Sequence, residues 1–259
     1  MNISKTASGH SSSPDTSSEG VVVLAATIPV LTQAHQDNIW RHFQNHGQES
    51  FDLSYARLRY LAERCHAGVR VLNIGVGSGG LEKLLIERGV EVCSLDPSEE
   101  TILRLQAELG MGERAKQGYS QAVPFGDGSF DKVIMTEVLE HLPGDTLRAT
   151  LGEVLRVLRP GGKFIGTVPY RENLQSNEAI CPYCGGQFHR WGHQQCFDLN
   201  SLEDLLESHG FIVEKLYSRS FPDFRRPGLK LFIKAAFRYV LGRMGEPLVG
   251  PNLYFIARK

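Results

Sequence analysis

Residues 69–80 read Val69-Arg70-Val71-Leu72-Asn73-Ile74-Gly75-Val76-Gly77-Ser78-Gly79-Gly80, and the fold follows from this stretch. Val69, Val71, Leu72 and Ile74 make a short buried strand, and a glycine cluster follows at once. Beyond it Leu81, Leu84 and Leu85 recur at helical spacing, so the segment runs strand, tight turn, helix. Gly75, Gly77 and Gly79 suit the turn because glycine tolerates positive φ and lets a ligand approach the backbone closely. The next apolar run, Glu91–Leu95, ends in Asp96. A carboxylate at the tip of a second strand is placed to accept hydrogen bonds from both ribose hydroxyls of an adenosine. The glycines satisfy both G-x-G-x-x-G and G-x-G-x-G, so this stretch alone does not separate a dinucleotide from another adenosine-bearing cofactor.

Outward from that stretch, strand and helix alternate. Pro97-Ser98 starts a helix over EETILRLQAEL with Ser98 as its cap. Gly126-Asp127-Gly128-Ser129 breaks the chain before a buried strand, DKVIMTE. Helix resumes in EVLEHL, breaks at Pro143-Gly144, and restarts with Asp145 capping DTLRATLGEVLRVL. Arg159-Pro160-Gly161-Gly162 terminates that helix before the strand KFIGTVP. The alternation implies a doubly wound, largely parallel sheet covered on both faces.

The chain has 259 residues, 41% of them hydrophobic, enough for one core with an appendage. Its 28 basic and 29 acidic residues leave no global basic footprint, so nucleic acid is not expected as a partner. Residues 1–20, rich in Ser and Thr, read as a disordered tail. The apolar stretch Val21–Ile28 is too short to span a bilayer and lacks the basic region of a secretory signal. Residues 21–68 form a helical cap ahead of the α/β domain at 69–259. In that cap Trp40, Phe43 and Phe51 are substrate candidates, although an aromatic stripe at helical spacing is more often core. Cys65 and Cys93 sit in apolar contexts as core thiols, and unpaired cysteines fit a reducing cytoplasm.

VLNIGVGSGG, LDPS, AVPFGDGSFDKVIMTEVLEHL and VLRPGGKFIGTVP occur in this order and together resemble the successive motifs of class I S-adenosylmethionine-dependent methyltransferases. The resemblance covers about residues 69–170. It implies a seven-stranded Rossmann-like sheet whose last two strands, GFIVEKLYS and PNLYFIARK, form an antiparallel hairpin. It also implies that Gly75, Gly77 and Gly79 pass beneath the methionine part of the cofactor and that Asp96, with Pro97 beside it, holds the ribose. Ser120 and Gln121 then lie near the adenine, and Glu137 flanks the methionine end. Asn73, also expected to bind the cofactor, and Tyr119 stand where similar proteins carry an acid. His141 is a candidate general base, or a packed histidine below the pocket. Helical spacing of three and four places Glu137, Glu140 and His141 on one face, and some similar methyltransferases bind magnesium or manganese at such a run.

An insert at 170–198 precedes the next helix and contains CPYCGGQFHRWGHQQC. Cys181, Cys184, His189 and His193, spaced C-x₂-C-x₄-H-x₃-H, offer a tetrahedral zinc set, with Cys196 able to replace one histidine. Cys-Pro-Tyr-Cys-Gly resembles a zinc knuckle. A structural zinc is expected, holding a lid that carries Tyr170, Arg171, Phe188, Arg190 and Trp191 toward the acceptor. A further insert at 222–246 carries Arg225, Arg226, Lys230, Lys234, Arg238 and Arg243 with no acid between them. It reads as a basic helix for an anionic membrane surface or an acidic carrier protein, or as a solvated helix covering the pocket. The expected function is methyl transfer from S-adenosylmethionine to a small or carrier-attached acceptor, with oxygen the nucleophile. Two alternatives remain at this point: a nicotinamide-dependent oxidoreductase, and a non-catalytic, cofactor-sensing interaction protein dependent on zinc.

Overall fold

A computed structural model describes residues 32–46, 54–183, 185–222, 229–243 and 251–259. The expected tail, the apolar stretch after it, and Phe51, Cys184, Arg225 and Arg226 lie outside the described residues. Seven strands form one sheet: β1 (Arg70–Ile74), β2 (Glu91–Asp96), β3 (Ala115–Gln117), β4 (Phe130–Thr136), β5 (Leu158–Pro169), β8 (Ile212–Arg219) and β9 (Asn252–Arg258). Their order is β3-β2-β1-β4-β5-β9-β8. The first five are parallel, and β9 runs antiparallel between β5 and β8. The chain winds outward from β1 through β2 to β3 and then restarts on the other side of β1 with β4. Such a reversal opens a crevice at the carboxyl ends of β1 and β4.

Both faces of the sheet are buried, and successive residues alternate between them. Leu72, Val133, Phe164 and Phe255 face one core, which is covered by α5 (Gly144–Val157) and α6 (Leu199–Ser208). Val71, Ile134, Ile165 and Tyr254 face the other, covered by α2 (Tyr55–Ala62), α3 (Gly80–Glu87) and α4 (Glu99–Leu109). Gly166 of β5 leaves no room for a side chain: an added Cβ would lie 2.5 Å from both the Met135 carbonyl oxygen and Phe255 Cζ. Gly166→Ala is therefore expected to cost about 1–3 kcal/mol by overpacking, read as a lower urea midpoint at unchanged m-value.

Helix starts follow local chemistry. Ser98 Oγ accepts the Thr101 amide at 3.3 Å, and Asp198 forms a reciprocal capping box with Ser201 at the start of α6. Two expectations are corrected. Asp145 does not cap α5; the helix begins behind Pro143, and Asp145 pairs with Arg148 inside the first turn. EVLEHL does not continue as an α-helix, because Glu137 adopts a left-handed φ of 56° and only a 3₁₀ turn, Leu139–His141, follows. Glu137 therefore does not share a helical face with Glu140 and His141. Two further helices, α1 (Gln33–His46) and α7 (Leu229–Arg243), complete the described residues with a hairpin, β6 (Glu178–Ile180) and β7 (Gln187–His189), inside the insert. Among the described residues no helix is long and apolar enough to cross a membrane.

Candidate cofactor and acceptor site

A cavity of about 330 Å³ lies at the carboxyl ends of β1, β2 and β4. Gly75, Val76, Gly77 and Ser78 form one wall, and Asp96 and Pro97 stand beside them. Gly75 has φ 85°, and a Cβ there would lie 2.5 Å from Val138 Cγ2, so the turn admits only glycine. Asp96 is 2% exposed; its Oδ2 accepts the Val76 amide and its Oδ1 the Ser98 amide, both at 2.9 Å. The carboxylate thus holds the glycine turn against the start of α4. Gly118, Ser120 and Gln121 line the adjoining wall, with Ser120 Oγ 2.7 Å from Thr150 Oγ1.

Asn73 and Gly79 are not among the lining residues. Asn73 is buried under the turn and donates to Glu82 Oε1 at 2.7 Å, where Ser94 Oγ donates as well at 2.8 Å. Burial raises the Glu82 carboxyl, although both hydrogen bonds oppose the shift. An amide suits position 73 because a second carboxylate facing Glu82 would meet a like charge. Gly79 is the N-cap of α3 at φ 82°, facing Leu105. Tyr119 donates to Asp37 Oδ2 at 3.0 Å and so ties α1 to the loop after β3.

The other end of the cavity is assembled from distant segments. Glu137 receives Thr167 Oγ1 at 2.9 Å and Asn252 Nδ2 at 2.9 Å from each oxygen, with Arg57 Nη1 3.3 Å away. These contacts hold a non-glycine residue in a left-handed conformation, which costs on the order of 1–3 kcal/mol. Trp40 lines the cavity and meets the His141 ring edge-on at 4.3 Å. Trp191 and His193 reach the same space from the insert. Tyr170 and Arg171 do not: Tyr170 packs against the core, and Arg171 points toward Asp198 at 3.7 Å.

The insert is fastened to this end. The Gln194 and Gln195 amides both donate to the Glu140 carbonyl, at 2.7 and 2.9 Å, and Gln36 of α1 donates to the Gly192 carbonyl at 2.9 Å. Within the insert the Cys181 amide donates to Gly186 O and the Gly185 amide to Cys181 O, both at 2.9 Å. His189 and His193 stack with ring centroids 4.6 Å apart. Among the described residues, the ligand-type atoms gathered near these histidines form two overlapping groups, Glu172–His189–His193 and Glu140–His141–His193. Cys181 and Cys196 join neither group. Burial, reinforced by the Glu137 charge, pushes the Glu140 carboxyl well above the usual range. Burial next to His193 holds the His141 imidazole well below its ordinary value.

Residues 43–216 match the family model described as a methyltransferase domain. The chain belongs to this methyltransferase family. The chain is 31% identical over 190 residues to a Mycolicibacterium smegmatis protein named "probable S-adenosylmethionine-dependent methyltransferase", covering 73% of this chain and 64% of that one. It is 37% identical over 125 residues to a sterol 24-C-methyltransferase of Gibberella zeae, covering 45% of this chain and 32% of the relative. The chain thus spans less than two thirds of the length of either relative. Its fold is shared by a Burkholderia thailandensis 1,6-didemethyltoxoflavin-N1-methyltransferase solved with S-adenosylhomocysteine, at 18% identity, TM-score 0.60 and 86% coverage of both chains. It is shared also by the [4+2]-cyclase SpnF, at 19% identity, TM-score 0.54 and coverage of 79% and 80%. The fold by itself therefore leaves the reaction open.

Three residues of the site carry no sequence signal: Arg57, Asn252 and Glu172. Arg57 and Asn252 are ordinary polar residues made relevant only by Glu137, far along the chain, and Glu172 by His193 across the insert.

Proposed function

We propose that this methyltransferase moves the sulfonium methyl of S-adenosylmethionine to a hydroxyl oxygen of a small or carrier-attached acceptor lying beneath the 170–198 insert. The observation that supports this most is the polarity of one cavity. A ribose-ready carboxylate and glycine turn stand at one end, and Trp40, His141, Trp191 and His193 close the other. In the transfer the S–CH₃ bond breaks as the C–O bond forms, S-adenosylhomocysteine leaves, and the hydroxyl proton passes to a base. A sulfonium methyl is already electrophilic, so holding the oxygen in line supplies much of the rate; effective molarities of about 10⁵–10⁸ M are available from orientation. His141 lines the acceptor end of the cavity and is the candidate base; burial keeps its imidazole neutral but holds it well below its ordinary range, so it is a weak base. Incubation with methyl-labelled S-adenosylmethionine and a panel of hydroxyl, amine and activated-carbon acceptors tests the reading. Label transfer to hydroxyl compounds is expected; transfer only to carbon or nitrogen would move the acceptor class.

One surface bears on where that acceptor comes from. On α7, Ile233, Phe237 and Val240 are 58%, 62% and 56% exposed and recur at helical spacing, with Lys234 exposed beside them. An apolar stripe on a helix that carries basic residues and no acid fits the interface of an anionic bilayer. Phe237→Asp is expected to reduce flotation with phosphatidylglycerol vesicles at least about tenfold, since each basic or apolar contact of this kind contributes about 1 kcal/mol or more. Equal flotation of both proteins would remove the membrane from the account.

A further inference from the structure

Where the insert meets the floor of the cavity, buried groups face one another without the partners their burial requires. Glu140 is 1% exposed, and neither carboxylate oxygen accepts a hydrogen bond. His141 is 5% exposed, and its Nδ1 is unpartnered as well. A buried carboxylate left bare is strongly destabilising, so burial of this kind is found where a cation balances the charge or the group stays protonated. His193 completes the set: ligand-type atoms of Glu140, His141 and His193 all lie within 4.8 Å of one another.

The far side of His193 is already occupied. Its Nδ1 is hydrogen-bonded to Glu172 Oε2, while Glu172 Oε1 lies 3.4 Å from His189 Nε2. An ionised carboxylate only accepts, so His193 donates from Nδ1 and its Nε2 is left with a free lone pair. His189 Nδ1 accepts the His193 amide at 3.0 Å, which holds the two histidines together. Glu172 thus accepts the His193 Nδ1 proton and fixes the tautomer and direction of His193. A carboxylate behind an imidazole, with the second nitrogen aimed at a shared point, is how metal-binding histidines are oriented.

We propose that Glu140, His141 and His193 bind one divalent transition-metal cation, zinc or manganese(II), with Glu172 and His189 acting as positioning residues for His193. Two imidazoles and one carboxylate suit these ions better than magnesium or calcium, which favour oxygen. Three protein ligands leave a coordination position open, and His141 and His193 both line the cavity. An acceptor hydroxyl bound at that position would lose its proton more readily, and because the cation would take the His141 lone pair, that proton would pass to solvent and not to His141. This role rests on reading the cavity as the methyl-donor site; the binding of the cation does not. The site also differs from the cysteine-based zinc set, since it draws on the floor of the cavity and uses no thiol.

Cobalt(II) titration of the full chain, stripped with chelator and dialysed, provides the test, because bound cobalt reports through its visible absorption. We expect saturation near one cobalt per chain with no sulfur-to-cobalt charge-transfer band. Glu140→Gln and His193→Gln are each expected to weaken cobalt at least about 100-fold, Glu172→Gln about 10- to 100-fold, and Cys181→Ser not at all. S-adenosylhomocysteine calorimetry on the same samples shows that each variant is folded. Should the buried Glu140→Gln fail to fold, His193→Gln decides, its side chain being 11% exposed. No cobalt uptake by the wild-type chain overturns the proposal. So does unchanged affinity in a folded His193→Gln, or a charge-transfer band lost in Cys181→Ser. Cobalt uptake without any binding of S-adenosylhomocysteine would instead sink the methyl-donor reading and leave the metal site standing.

Discussion

Replacing Asp96 by alanine is expected to weaken S-adenosylhomocysteine binding on the order of 100-fold, about 3 kcal/mol, the magnitude of one or two hydrogen bonds to a charged group. Asp96 acts twice. It lines the cavity, and it holds the Val76 and Ser98 amides at 2.9 Å, which fixes the glycine turn against α4. Alanine removes the proposed ribose acceptor and leaves the buried Val76 amide and the part-buried Ser98 amide without this partner, so the cleft loses both a contact and its shape. Asp96→Asn, which keeps one oxygen and the side-chain volume, should fall between alanine and wild type. Calorimetric titration gives the answer directly. An Asp96→Ala affinity within about threefold of wild type, which is under about 0.7 kcal/mol, would show that the second strand's carboxylate does not hold the nucleoside.

Phe164→Ala is expected to cost about 3–5 kcal/mol, the range for removing a buried phenyl ring from a packed core. Phe164 is fully buried in β5; its ring meets Phe255 edge-on at 4.9 Å and Phe211 at 5.6 Å. It joins the parallel part of the sheet to β9 and to the segment after α6, so the cavity left behind lies where three elements meet. For a domain of this size the loss corresponds to a melting point lower by about 10 °C. Phe164→Leu, which refills most of the space, should lose less than half as much. A shift under about 2 °C for alanine, equivalent to less than about 1 kcal/mol, would show that this core relaxes freely.

Much of the fold was readable because its signals are local. The strand before Gly75, the cap at Ser98 and the carboxylate at Asp96 each follow from a few neighbouring residues, and the structure places them as expected. The Glu137–His141 segment was not readable. Its letters have helical propensity, but Glu137 is turned into a left-handed conformation by Thr167, Asn252 and Arg57, all far away in sequence. The insert shows the same limit. Cysteine and histidine spacing marks residues by their distance along the chain, whereas the folded insert directs His193 at Glu140 and His141 and sets Glu172 behind it. Among the expected acceptor contacts, Trp40 and Trp191 line the cavity, while Arg171 at φ 49° turns outward to Asp198.

The most direct measurement is an isothermal titration of the full chain with S-adenosylhomocysteine and, in parallel, with NAD⁺. Saturable binding of one S-adenosylhomocysteine per chain, with no heat from NAD⁺ beyond dilution, is the predicted result. Saturation by NAD⁺ with no response to S-adenosylhomocysteine would contradict it.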